Sequence, residues 1–341
     1  SFGTGMFYGC KSLQVVSMPQ GIKSIGVDSF NGCESLISVS LPGGVLESIE
    51  VRAFNNCKAL KTISIPQTGV TKIGTNAFYN CKSLSELTIP DTVTSIGNYL
   101  FGSGCYLKEL KMPYLTGIGN QLNGVTIDNL TITSGNSTIS TKDFSGIKSI
   151  ESLNILDGVT TISQRAFDGT TIKNISISNG VTSIGENAFG GCGVINASLP
   201  LVWTESSKNL FIDNVTSLTT TVETITLTGG NSTLPENSFY GVTSLTKITL
   251  NPELKKINTG AFYNCINLES IDLSGIEEIG VSAFYNCALS EGVLIIPSSV
   301  KTIGDAAFNK AGMSGVMFNE GTDEISLGID LFHTCTDLSA V

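Results

Sequence analysis

The sequence predicts a solenoid of stacked parallel strands. Three regularities predict it: a phenylalanine that returns mostly every 22 to 24 residues, a strand-like Leu-x-x-Leu-x-Ile segment between phenylalanines that meets a proline in seven places, and an Ile-Gly pair in seven places ahead of the next anchor. Phe7, Phe30, Phe54, Phe78, Phe101, Phe144, Phe167, Phe189, Phe211, Phe239, Phe262, Phe284, Phe308 and Phe332 mark the beat, and Leu122 fills its one missing place. With a period of this length, each repeat can bury its apolar residues only against its neighbours. Residues 1–341 are therefore expected to form one elongated body of about fourteen repeats. Such a body offers a long surface for binding and gives no hint of a catalytic pocket.

The stretch from Phe78 to Phe101 serves as the type repeat. Leu84, Leu87 and Ile89 keep the Leu-x-x-Leu-x-Leu spacing, and Leu87 and Ile89 alternate as a strand does. Pro90 has no N–H to donate and is expected to stop the strand, as are Pro19, Pro42, Pro66, Pro113, Pro200 and Pro297. Val93 and Ile96 return apolar groups to the core. Gly97 follows Ile96, as Gly26, Gly74, Gly119, Gly185, Gly280 and Gly304 follow their isoleucines, so this place needs either a positive φ or a close backbone approach. A short helical or irregular turn then carries the next phenylalanine inward. Strands of successive repeats must be parallel, about 4.8 Å apart.

Cysteine obeys the same beat. Cys10, Cys33, Cys57, Cys81, Cys192, Cys265, Cys287 and Cys335 lie three residues after an anchor phenylalanine, and Cys105 lies four after Phe101. Nine is odd, and the spacing is not that of a Cys-x-x-Cys zinc site. The expectation is a ladder of small, buried, reduced thiols, against disulfides between neighbouring rungs or a stack of metals.

Apolar residues at 41% are ample for a core, while charged residues at 14% leave a surface of Ser, Thr, Asn and Gly. A net charge of −10 with only 19 Lys plus Arg argues against nucleic acid or an anionic membrane as partner. No apolar run approaches the roughly 20 residues of a membrane span. The chain opens and closes inside a repeat, so it reads as a trimmed piece from which any targeting segment has been removed. Catalytic, cofactor and metal signatures are lacking. His333 reads as a surface histidine, the glycines follow repeat turns and not a phosphate loop, and Trp203 falls on a core position.

The combined pattern is Leu-x-x-Leu-x-Ile-Pro, then Val-x-x-Ile-Gly-x-x-Ala-Phe, then x-x-Cys-x-x-Leu, clearest over residues 84–107 and 262–287. It resembles the BspA-type leucine-rich repeats of bacterial, and some protist, cell-surface proteins. The resemblance covers essentially the whole chain. It implies a right-handed curved superhelix with a parallel β-sheet on its concave face and short turns or 3-10 segments on the convex side. It also implies a secreted or cell-surface protein, with adhesion among the family's roles. The motif residues are structural, so no site is carried over by position. Departures concentrate at about 113–240. The anchors Leu122, Phe144, Phe167, Phe211 and Phe239 lack the following cysteine, and the 211–239 interval is expected to bulge with Thr219, Thr220 and Thr221 near its tip. Thr-Ser-Gly-Asn-Ser-Thr-Ile at 133–139 is echoed at 228–234, which suggests duplication of a block of repeats.

The outward strand position is read as Ser17, Ser40, Ser64, Thr88, Lys111, Thr131, Asn154, Ser176, Ser198, Thr226, Thr249, Asp272, Ile295 and Met317. Most of this is a hydroxyl ladder with little recognition content. Two places break it and supply the candidate ligand-binding residues: the charges Glu86, Glu109 and Lys111, and the group Asp272, Val293, Ile295 and Met317. Val316 and Phe318 are expected in the core on either side of Met317. The expected function is a non-enzymatic, extracellular, monomeric scaffold that binds a host matrix protein, a surface glycan or another cell-surface protein. It needs no cofactor. A passive spacer holding another domain away from the cell wall is the alternative.

Overall fold

A computed structural model describes residues 2–202, 221–321 and 324–340. Trp203, Phe211, Thr219 and Thr220, for which the sequence sets expectations, lie outside the described residues. The fold is a parallel-strand β-solenoid of about 13 turns. It contains two compact units, Ser1–Thr160 with Ala166–Ile172, and Thr161–Arg165 with Lys173–Val341.

In the first unit the Leu-x-Ile segments form parallel ladders in the expected register. Val15–Ser17, Ser38–Ser40 and Thr62–Ser64 pair in one sheet. Glu86–Thr88, Tyr106–Tyr114, Thr126–Gly135 and Ser149–Ile155 pair in a second. The return segment does more than close the turn. Its X-Ile pairs at Ser24–Ile25, Ser48–Ile49, Lys72–Ile73 and Ser95–Ile96 make their own narrow parallel sheet, with each isoleucine buried. A β-branched residue on a two-residue strand suits this pleated, half-buried setting.

The second unit repeats the plan. Residues 174–176 pair with 196–198, then with Thr224–Gly230 and Lys247–Thr249, while Val293–Ile296 pairs with Gly315–Phe318. Its return sheet runs Thr233–Leu234, Lys256–Ile257, Glu278–Ile279, Thr302–Ile303 and Ser326–Leu327.

Anchor phenylalanines stack rung on rung inside each unit. Phe30 and Phe54 lie 5.2 Å apart and 1° from parallel, and Phe284 and Phe308 lie 5.2 Å apart at 2°. The missing beat at Leu122 is made good by another residue: Tyr114 is fully buried and stacks 6.4 Å from Phe144, its hydroxyl donating to Asp143. Leu122, also buried, follows the four-residue helix Ile118–Gln121, the one helix among the described residues. The remaining returns are hydrogen-bonded turns and not 3-10 helix.

Three expectations change in detail. The Ile-Gly glycines do not have positive φ. A Cβ on Gly97 would stand 2.2 Å from the Thr75 nitrogen, and one on Gly74 would stand 2.4 Å from that of Val51, so close approach of rungs is the reason for glycine. The left-handed backbone lies elsewhere, two residues before and two after each anchor, as at Arg52 and Asn56 or Asn76 and Asn80. Pro113 and Pro200 do not stop their strands, which run on to the buried Tyr114 and Leu201. A register shift accommodates each proline, as bulges do. Here the echoed Gly-Asn-Ser-Thr segments explain themselves: Gly135 (φ 105°) lies opposite Tyr114 and Gly230 (φ 104°) opposite Leu201. Phe318 is 38% exposed and so is not a core residue, while Val316 is buried.

The cysteines have a more specific role than filler. Cys33, Cys57 and Cys81 donate to the carbonyls of Phe7, Phe30 and Phe54, each at 3.1 Å, and Cys287 donates to Phe262 at 3.0 Å. Each thiol thus ties a turn to the anchor of the rung before it. Thr170, three residues after Phe167, makes the same bond to the Phe144 carbonyl at 2.6 Å, so that repeat keeps the staple with a hydroxyl. All nine cysteines are free thiols, and burial raises several of their pKa values, to about 11 at Cys33 and about 12 at Cys265. Cys10 and Cys335 depart from the expectation of burial: Cys10 is exposed, on the first turn described, and Cys335 is half-buried.

Candidate functional site

Strand alternation decides which side chains face solvent. In the first unit Glu86 lies in register with Glu109 and Thr88 with Lys111, all four exposed, and Lys108 reaches Glu86 at 3.5 Å. Glu86 and Glu109 line a groove of about 560 Å³ with Ser40, Ser64 and Gln67. Two like charges stand side by side on it.

The second unit is different. Ile295 lies opposite Met317, and Val293 stands two residues before Ile295 on the same face. Val293, Ile295 and Met317 are 51%, 52% and 54% exposed, while Leu294 and Ile296 are buried beneath them. Beside them opens a cleft of about 490 Å³ whose walls include Glu269, Asp272, Glu291, Val293 and Ile295. Asp272 is exposed, and its Oδ1 accepts the Ser274 N–H at 2.9 Å. Hydrogen bonds from Ser274 hold its carboxyl below the usual carboxylate range.

The cleft forms where two repeats depart in length. Phe262 to Phe284 is one residue short on its return, and an extra residue enters between Cys287 and Pro297. The strand ladder is interrupted there: Ser270 keeps a bridge to Lys247, and the next two-stranded sheet begins at Val293. The structure therefore brings Asp272, Val293 and Ile295 to one cleft with Met317 on the neighbouring strand. Glu269 and Glu291 join them, and strand alternation alone does not single them out. The extra residue in Ser290-Glu291-Gly292 was the available signal.

Another feature also escaped the sequence reading. Tyr240, Tyr263 and Tyr285, each directly after an anchor phenylalanine, stack at 4.8 and 4.6 Å, with Lys310 capping Tyr285 at 5.3 Å. Their ring faces are taken up by one another, so this column braces the turns and leaves few faces free for a ligand. His333 is exposed, as expected. Thr221, the described member of the threonine run, donates to the Val194 carbonyl at 2.8 Å. Among the described residues no three His, Cys, Asp or Glu side chains converge as ligands of a metal ion, and no helix is long and apolar enough to cross a membrane.

Comparison with known families agrees with this construction of the repeat. The BspA type leucine rich repeat region matches in 6 copies over residues 1–122, 119–221 and 212–339. The chain belongs to this family. Leucine-rich repeats of this kind typically bind proteins. Among solved structures, the BspA-type chain is similar to a leucine-rich repeat protein of Eubacterium ventriosum, 25% identical over 82% of this chain and 84% of that one, with a TM-score of 0.40. A leucine-rich repeat protein of Bacteroides ovatus is 22% identical over 99% of this chain and 80% of that one, at 0.39. A leucine rich cell surface protein of Faecalibacterium prausnitzii is 22% identical over 99% and 81%, at 0.35. No curated protein matches the chain.

Proposed function

We propose that this BspA-type chain is a non-enzymatic binding scaffold that works at or outside the cell surface, and that the second unit's strand face takes the ligand. One contrast carries the reading. Outward positions along that unit hold Ser176, Ser198, Thr226 and Thr249, and then turn to half-exposed apolar side chains at Ile295 and Met317, with Val293 beside them. Exposed apolar groups clustered next to a cleft mark contact surfaces more often than chance placement does. The first unit's Glu86, Glu109 and Lys111 are a weaker candidate, since that groove offers no apolar anchor of the kind that dominates interfaces.

The test is capture of the purified protein on immobilised matrix proteins and on a glycan array. Ile295→Asp and Met317→Asp are expected to abolish capture while changing stability by no more than about 0.5 kcal/mol, as surface substitutions do. Capture unchanged in both variants would move the site elsewhere. Early unfolding of both would make the patch core, and no capture at all by the parent protein would favour a passive spacer.

A further inference from the structure

We propose that the partner presents to this face an extended protein segment in which a cationic side chain stands beside apolar ones. The inference rests on the binding role above and adds the chemistry of the partner. Its basis is the lining of the cleft, which joins acidic and apolar side chains and holds no cation. Elsewhere several acids pair with a cation one rung away: Lys23 with Glu47, Arg52 with Asp28, Lys58 with Glu34, Lys72 with Glu50, and Lys256 with Glu278. Glu277 is held by both Lys255 and Lys301. The cleft beside Ile295 gathers acids of two rungs without such a cation. Glu269 and Glu291 sit on adjacent rungs, joined by the Glu291 N–H to the Glu269 carbonyl at 3.1 Å, and Asp272 completes the group. No Lys, Arg or His lines the cleft. Lys247, the register partner of Ser270, makes no ion pair with any of the three among the described residues.

Three carboxylates lining one cleft beside an apolar stripe favour a positive, partly apolar visitor and disfavour an acidic one. Val293 and Ile295 are two residues apart on one strand, and Met317 lies on the next, so the apolar contacts repeat at the spacing of alternate residues in an extended peptide. The cleft lining contains no aromatic ring on which a sugar could stack. The Ser274 hydrogen bonds keep Asp272 ionised at neutral pH, which suits a role as counter-charge.

The probe is a fluorescein-labelled hexapeptide alternating isoleucine and arginine, with isoleucine–glutamate and serine–arginine hexapeptides as controls, followed by anisotropy. The isoleucine–arginine peptide is expected to bind saturably and roughly tenfold or more tighter than either control. Binding should weaken about tenfold in the Asp272→Asn, Glu291→Gln double variant and in Ile295→Ser, with the melting midpoint unmoved in each. Equal binding of the serine–arginine peptide, binding of the isoleucine–glutamate peptide, indifference to either variant, or no binding would overturn the inference. The binding role is judged separately. If a captured matrix protein or glycan depends on Ile295 and Met317 but not on Asp272 and Glu291, that role stands and the cationic segment is wrong.

Discussion

Cys57 shows why a thiol recurs three residues after the buried ring. Its sulfur is small enough for the turn interior, and it donates to the Phe30 carbonyl, which also accepts the Cys33 N–H at 3.1 Å. Cys57→Ala removes one of that carbonyl's two donors, which should cost about 0.5–1.5 kcal/mol. Cys57→Thr keeps a donor of similar size, as Thr170 does naturally, and should cost clearly less. Denaturant midpoints of the two variants check this, and equal losses would show that packing alone matters. Reactivity follows from the same geometry. The exposed thiol of Cys10 should react with a thiol reagent within minutes in the native protein, while Cys57, Cys81 and Cys287, buried and with raised pKa, react only on unfolding. Peptide mapping after a brief pulse distinguishes them. Phe78→Ala, which empties a place in the ring column, should cost about 3–5 kcal/mol.

At the scale of the element, spacing between rungs is set by backbone approach as much as by ring stacking. Gly97→Ala would drive a methyl into the Thr75 backbone, which cannot move aside without parting two rungs. A loss of about 1–3 kcal/mol or more is expected in a thermal melt, whereas Gly104→Ala meets nothing within 4 Å and is strained only through its φ of 81°. These elements were legible because their causes are periodic: a ring, a β-branched residue and a glycine returning in step. Tyr114 was not legible, because the ring arrives from beyond Pro113 and not from the anchor place held by Leu122. The second sheet was missed for a similar reason, since two residues are too few to show alternation. For the cleft, Asp272, Val293 and Ile295 could be read from strand alternation. Glu269 and Glu291 could not, since they come together only where one short repeat meets one long one.

Across the whole molecule, the thiol ladder makes stability depend on alkaline pH. Burial raises Cys33 to about 11 and Cys265 to about 12 from a value of 9.0 in the absence of the fold, and it raises Cys57, Cys81, Cys105, Cys287 and Cys335 as well. A raised acid holds its proton more tightly in the folded state, so between the two values the folded chain binds more protons than the unfolded one. Stability then falls as pH rises. The contribution is fully present below pH 9 and is lost as pH climbs through 11 and 12. The sign is opposite for Asp28 and Glu50, whose lowered values give stability present at neutral pH and lost in acid. Thermal melts should therefore show a plateau from near neutrality to about pH 9 and a decline above it. Replacing Cys265 with threonine, which keeps a donor but does not ionise in this range, should make that decline shallower. An unchanged alkaline slope in Cys265→Thr would mean that tyrosine ionisation, and not the thiol ladder, limits the fold at high pH.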